Sequence, residues 1–158
     1  MRIGFENHDH GKCMSRGIES VSEYCVSNDL QLTPVRRRVM EILLQRHRAL
    51  GAYEILDILR AEGLGSQPPV VYRALDFLLK NGFAHKIERC NAYTACMHVG
   101  QEHVPAFLIC KECNAVVETQ SAVSSNFLET AAKGTDFAIE RVVIEAEGQC
   151  PNCRKAKA

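Results

Sequence analysis

The sequence predicts an α+β fold in two parts, and three observations predict it. Four stretches with helical apolar spacing fill the first half, to about residue 80. Two short alternating runs follow them. The last third changes texture, with β-rich runs set around two Cys-x-x-Cys pairs. A period near 3.6 that gives way to short extended runs is the mark of helices followed by strands.

Residues 1–17 are polar and read as a flexible N-terminal segment, in which His8, His10 and Cys13 are at most adventitious metal donors. Helical periodicity begins at Ile18 and runs to Asn28, with Ile18, Val21, Tyr24 and Cys25 on one face; Cys25 is therefore expected in the core. Thr33 is an N-cap and Pro34 the first helical residue of the next helix, which runs to Arg46 and turns Val35, Val39, Ile42 and Leu43 inward. Arg36, Arg37 and Arg38 sit at its positive end, where the helix dipole disfavours cations, so an outside partner is expected for them.

Gly51 breaks the chain, and Ala52–Ala61 forms a third helix on Ile55, Leu56 and Leu59. After a loop over Gly63–Gln67, Pro68 opens a fourth helix that Asn81-Gly82 closes. Val71, Leu75, Leu78 and Leu79 pack inward, while Tyr72, Arg73 and Asp76 lie off that stripe. Strands over Ala84–Glu88 and Ala92–Ala95 are joined by a turn at Arg89–Asn91. Three helices, a fourth behind a short loop and a hairpin read as a winged helix-turn-helix, whose last helix enters the DNA major groove. The competing reading is a helical bundle with a hairpin that never meets DNA.

Beyond Cys96, strands are expected at Phe107–Cys110 and Ala115–Glu118, a helix over Ala122–Lys133 and a β-rich run over Phe137–Glu147. The tail Arg154–Ala158 reads as a solvated basic end.

The pairs Cys110/Cys113 and Cys150/Cys153 are separated by 36 residues. Each places two thiolates on one turn, and two such turns fill the four corners of a closed zinc site. Two disulfides are the alternative. The start of the chain has no apolar signal segment, and no apolar run nears the roughly 18 residues of a membrane span. A cytoplasmic protein without membrane association is expected, where thiols stay reduced and eight cysteines read first as ligands. A redox enzyme would need a βαβ setting that is missing. Net charge is zero, divided as 13 basic against 11 acidic residues over 1–89 and 6 against 8 over 90–158, which decides little.

His85, Cys90, Cys96, His98, His103 and Glu118 form a second scatter of possible zinc donors. Spacing alone leaves open which four would act together.

The texts LTPVRRRVMEIL, GAYEILDILR and PPVVYRALDFLLKNGFAHKIE, followed by the two Cys-x-x-Cys pairs, resemble the Fur superfamily of metal-responsive repressors, and most closely its zinc-sensing branch. The likeness runs from Leu32 to Cys153. It implies a homodimer, with a winged-helix DNA-binding domain over 18–89, a hinge over 90–96 and a small α/β dimerisation domain over 97–158. It implies structural zinc on Cys110, Cys113, Cys150 and Cys153, and regulatory zinc on His85, Cys96, His103 and Glu118, two ions per protomer. DNA-reading roles fall on Tyr53 and Arg73, with Tyr72 beside them, and phosphate contacts on Arg36, Arg37 and Arg38, more weakly on Lys86 and Arg89.

The function so implied is zinc-dependent repression at palindromic operators of zinc-uptake genes. A sensor of iron, manganese or peroxide is the near alternative, and a zinc-ribbon interaction module without DNA binding the distant one. Only His103 stands where iron and peroxide sensors carry a His-rich run, and a thiolate at Cys96 favours zinc over ferrous iron. Asn114 replaces the glycine usual after the first knuckle, and Asn tolerates positive φ. His98 rivals His103, and Cys90 is expected to be a plain wing residue. No nucleophile motif or acid–base pair points to an enzyme.

Overall fold

A computed structural model describes residues 5, 9–46, 48–65, 67–119 and 126–156. His8 and the expected helix start at 122–125 lie outside the described residues, and so does the side chain of His10.

The order is α1 (His10–Ser27), α2 (Pro34–Gln45), α3 (Ala52–Ala61), α4 (Pro68–Lys80), β1 (Ala84–Ile87), β2 (Ala92–Ala95), β3 (Ala106–Cys110), β4 (Val116–Glu118), α5 (Asn126–Ala132), β5 (Ile144–Gly148) and α6 (Pro151–Ala156). Among the described residues no helix is long and apolar enough to cross a membrane.

Helix α1 begins at His10 rather than Ile18, which corrects the expectation of a flexible segment up to residue 17. The cause is local: the Asp9 carboxylate caps the helix by accepting from the N–H groups of Gly11 (3.1 Å) and Lys12 (3.4 Å). Gly17 lets α1 approach α2 closely, since a Cβ there would stand 2.7 Å from a methyl of Leu44. Helix α2 starts as expected, with the Thr33 hydroxyl accepting from Arg36 N–H. Glu54 accepts from Gly51 N–H at the head of α3. Gly82, at φ +71°, turns the chain from α4 into β1.

The helices and the β1–β2 hairpin enclose one core, built on Val39, Ile42, Leu43, Ile55, Leu75, Leu78 and Phe83. Cys25 belongs to it, as its helical position predicted. The hairpin is antiparallel, pairing His85 with Thr94 and Ile87 with Ala92. Its tip is a single 3₁₀ turn, Glu88–Cys90, closed by Asn91 at φ 45°.

The second sheet has the order β4-β3-β5, with β3 antiparallel to β4 and parallel to β5. The expected β-rich run over Phe137–Glu147 is strand only from Ile144. Pairing sets that limit: β5 matches β3 one for one from Ala106↔Ile144 to Cys110↔Gly148, and Pro105 precedes β3. The basic tail is not wholly irregular either, because Pro151 starts the short α6. Asn114 takes φ 58°, so the knuckle turn keeps its shape without glycine.

A second apolar cluster joins the two parts: Ala49, Ile87 and Ala92 from the first meet Phe107, Ile109 and Val116 of the sheet. Isolated bridges, Arg48 to Ala115 and Leu50 to Tyr93, run beside it. The wing therefore lies on the second sheet rather than projecting freely.

Candidate metal centres and nucleic-acid face

Parallel pairing of β3 with β5 brings both Cys-x-x-Cys pairs to one end of the sheet. Cys110 ends β3 level with Gly148, and Cys150 follows two residues later. Donor sulfurs of Cys110, Cys113, Cys150 and Cys153 all lie within 4.8 Å of one another. The sulfurs of Cys113 and Cys150 are 3.8 Å apart. Four sulfurs at about 2.3 Å from one zinc have tetrahedral edges of about 3.8 Å, whereas a disulfide would close to about 2.05 Å. All eight cysteines are free thiols. Backbone N–H groups prepare the site, with Cys150 N–H donating to Cys110 Sγ at 3.3 Å and Cys153 N–H to Cys150 Sγ at 3.4 Å. The Cys150 N–H, with that of Cys113, draws the Cys110 thiol down to about 6. Its neighbouring sulfurs push Cys153 up to about 12, because crowded thiolates repel. A divalent cation removes that conflict, so the donor set fits zinc.

The second cluster gathers donors from both parts of the chain. His85 comes from β1, Cys96 from just after β2, His103 from the following loop and Glu118 from the end of β4. Their donor atoms also lie within 4.8 Å of one another. Glu118 Oε1 stands 2.8 Å from His103 Nε2 and 3.3 Å from His85 Nε2, and Cys96 Sγ is 3.7 Å from His103 Nε2. Tetrahedral zinc with N, O and S donors has edges of about 3.3–3.6 Å. His85 Nε2 is buried and, despite its nearness to Glu118, makes no well-aligned hydrogen bond. A lone pair aimed at a shared centre is what a ligand needs. Around the donors, His103 Nδ1 faces the Gln101 carbonyl at 2.8 Å, which turns Nε2 towards Glu118 and Cys96. Met97 N–H donates to Glu118 Oε2 at 2.9 Å, and His98 N–H to Cys96 Sγ at 3.3 Å.

Electrostatics at this cluster suit a bound cation. Burial raises the Glu118 carboxyl, but His85, the Met97 N–H and His103 outweigh burial and hold it below the usual carboxylate range. Burial and the Glu118 charge push the Cys96 thiol up to about 12. Without a cation Cys96 thus stays protonated throughout the neutral range, and a cation that takes its thiolate as a ligand must expel that proton. Zinc affinity at this site is expected to rise about tenfold per pH unit from Cys96 alone. Calorimetric titrations in two buffers of different ionisation enthalpy count the proton, and a pH-independent affinity would contradict the assignment.

Among the rivals, the ring of His98 stands 5.2 Å from that of His103, yet His98 is not part of the four-donor cluster. Cys90 is exposed at the wing tip and belongs to neither cluster. Cys13 lies on α1, partly buried.

Tyr53 of α3 and Tyr72 of α4 are exposed, at 63% and 41%. Arg73 is exposed beside Tyr72 and makes no hydrogen bond or ion pair with any described residue. The three arginines of α2 behave otherwise. Arg36 covers the Phe77 ring at 3.9 Å and donates to the Gln31 carbonyl. Arg37 donates to Glu41 and Ser22. Arg38 grips both oxygens of Glu62 at 2.7 Å and reaches Glu41. Their position near the helix start thus has intrachain partners that offset the unfavourable dipole. On the wing, Lys86 pairs with Glu88 and Arg89 with Glu147.

Sequence reasoning missed the Gln101 carbonyl and Met97 N–H that orient His103 and Glu118. Both are backbone groups, for which side-chain spacing carries no signal.

The sequence matches the ferric uptake regulator family over residues 27–147. It is 37% identical over 142 residues to the zinc uptake regulation protein of Escherichia coli (strain K12), covering 89% of this chain and 83% of that one. A zinc uptake regulator complexed with zinc and DNA has a similar structure, with a TM-score of 0.86 at 36% identity over 91% of this chain and 97% of its own. Holo XcZur gives 0.79 at 37% identity, over 87% of this chain and 96% of its own. Apo XcZur gives only 0.52 at 38% identity, over 90% and 99%. At nearly equal identity, then, the structure is more similar to the holo form than to the apo form. The match spans most of the sequence, and the chain belongs to the ferric uptake regulator family.

Proposed function

We propose that this protein is a zinc-responsive transcriptional repressor, which binds palindromic operators of zinc-uptake genes as a zinc-loaded homodimer. One observation carries the reading: a four-donor cluster takes His85 from the wing and Glu118 from the second sheet, with Cys96 and His103 between them. An ion held there fixes the wing half against the sheet half. The names of its relatives, one of them complexed with zinc and DNA, agree with that role.

Each protomer holds two zinc ions in this scheme. Cys110, Cys113, Cys150 and Cys153 keep a permanent one that staples the small sheet. His85, Cys96, His103 and Glu118 hold the exchangeable one, which supplies a positive centre for donors from both halves. A thiolate among these donors favours zinc over the ferrous iron of the alternative sensor.

The dimer forms through the half beyond Cys96. Strand β5 is an edge of its sheet, and Phe127 and Phe137 are exposed at 60% and 69%. An open edge and bare aromatic rings call for a second copy. With both wings fixed, two α4 helices stand about 34–36 Å apart, one turn of DNA. Arg73 reads guanine through its free guanidinium, Tyr53 and Tyr72 flank it, and Arg37, half-exposed, is the best placed of the α2 arginines for phosphate.

Zinc-titrated gel shifts on the region upstream of the protein's own gene, with ferrous iron in parallel, test the scheme. Binding that ignores zinc, or that answers only to iron, overturns it. In the same assay Arg73→Ala is expected to cost about 1–3 kcal/mol and to relax sequence preference, with zinc content unchanged. Intact preference would remove Arg73 from the reading role.

A further inference from the structure

The interface between wing and sheet has a second anchor, away from the donor cluster. Phe107 of β3 pairs with Glu118 on one side and with Glu145 on the other. Residues two apart on a strand share a face, so Glu145 and Glu147 lie on the face that Phe107 and Ile109 turn towards Ile87 and Ala92. The row Glu118–Phe107–Glu145 thus carries a carboxylate at each end. Glu118 joins the donor cluster. Glu145 reaches the wing tip, where Oε1 accepts from Glu88 N–H at 2.8 Å and Oε2 from Arg89 N–H at 3.3 Å. Those N–H groups open the 3₁₀ turn and have no partner within the hairpin ladder. Glu147 adds an ion pair with Arg89.

We infer that Glu145 is a positioning residue, a metal-independent latch that holds the wing tip on the second sheet and so sets how much zinc is needed to complete closure. This rests on the regulatory reading of the His85 cluster. A carboxylate bonded to two N–H groups makes charge-assisted bonds, about twice as strong as neutral ones. The exposed Arg89–Glu147 pair contributes less. Because zinc loads the closed arrangement, its apparent affinity scales with the fraction of chains already closed. The latch raises that fraction.

The test uses the full chain with the structural zinc in place and the second site emptied by mild chelation. Zinc is titrated back against a chromophoric chelator. Glu145→Ala is expected to weaken the second zinc about tenfold, with Glu145→Gln, which keeps one acceptor oxygen, in between. Structural zinc and thermal melting stay as in the wild type. Equal affinities in all three proteins overturn the latch. Independently, amide hydrogen exchange by NMR reports Glu88 and Arg89 in the zinc-depleted second-site form. Protection in the wild type that is lost in Glu145→Ala upholds the latch, and free exchange in the wild type refutes it. A wild-type chain that takes up one zinc only would defeat the regulatory reading, and the exchange measurement would still decide the latch.

Discussion

Cys110→Ser is expected to unfold the half of the protein beyond Cys96. Cys110 sits where β3, the knuckle turn and the return from β5 meet, and its sulfur accepts the Cys150 N–H. The three-stranded sheet is small, and its strands have five residues or fewer. A structural zinc site binds with about 10–16 kcal/mol at neutral pH. Whole domains are stable by only about 5–15 kcal/mol, so losing one of four ligands removes a contribution comparable to the total. Metal analysis should find one zinc fewer per chain, circular dichroism a loss of cooperative melting, and sedimentation a monomer. A folded dimer with unchanged melting would end the structural role of this cluster.

Cys96→Ser is the mirror case, with the fold kept and the response lost. Cys96 is 3% exposed and contributes the only sulfur of the second cluster, so serine leaves a poor oxygen donor in a buried place. One tight zinc per chain remains, and DNA binding no longer depends on added zinc. Moving a two-state equilibrium from 1:99 to 99:1 takes about 5.5 kcal/mol of differential binding. A site reduced to three good ligands falls short of that. Zinc-titrated gel shifts with parallel metal counting check both halves of the expectation. A variant that still responds to zinc would move the sensing elsewhere.

The helices of the first half were legible because their signals are local. Thr33-Pro34, Gly51 and Asn81-Gly82 mark ends through caps and positive φ, and apolar spacing marks faces. The four-cysteine cluster was legible for the same reason. The second cluster was not readable from spacing, since His85 and Glu118 converge only through the packing of a wing on a sheet; the family resemblance supplied the ligand set. The start of α1 was missed because Asp9, an ordinary cap, stands in a polar tract with no apolar stripe to announce a helix. The limit of β5 was missed because a strand ends where its partner ends, and Pro105 decides that from outside the run. The intrachain partners of the α2 arginines were only partly legible: Glu41 stands one turn along the same helix, whereas Glu62 and Phe77 come from elsewhere in the fold.

The apolar cluster shared by Ile87, Ala92, Phe107, Ile109 and Val116 means that neither half owns its complete interior. Inserting one residue into the hairpin would flip its inward side chains to solvent and bare the facing strand at once. Hairpin length and β3 composition must therefore drift together across generations, and a head borrowed from a cousin would come loose unless its underlay travelled with it.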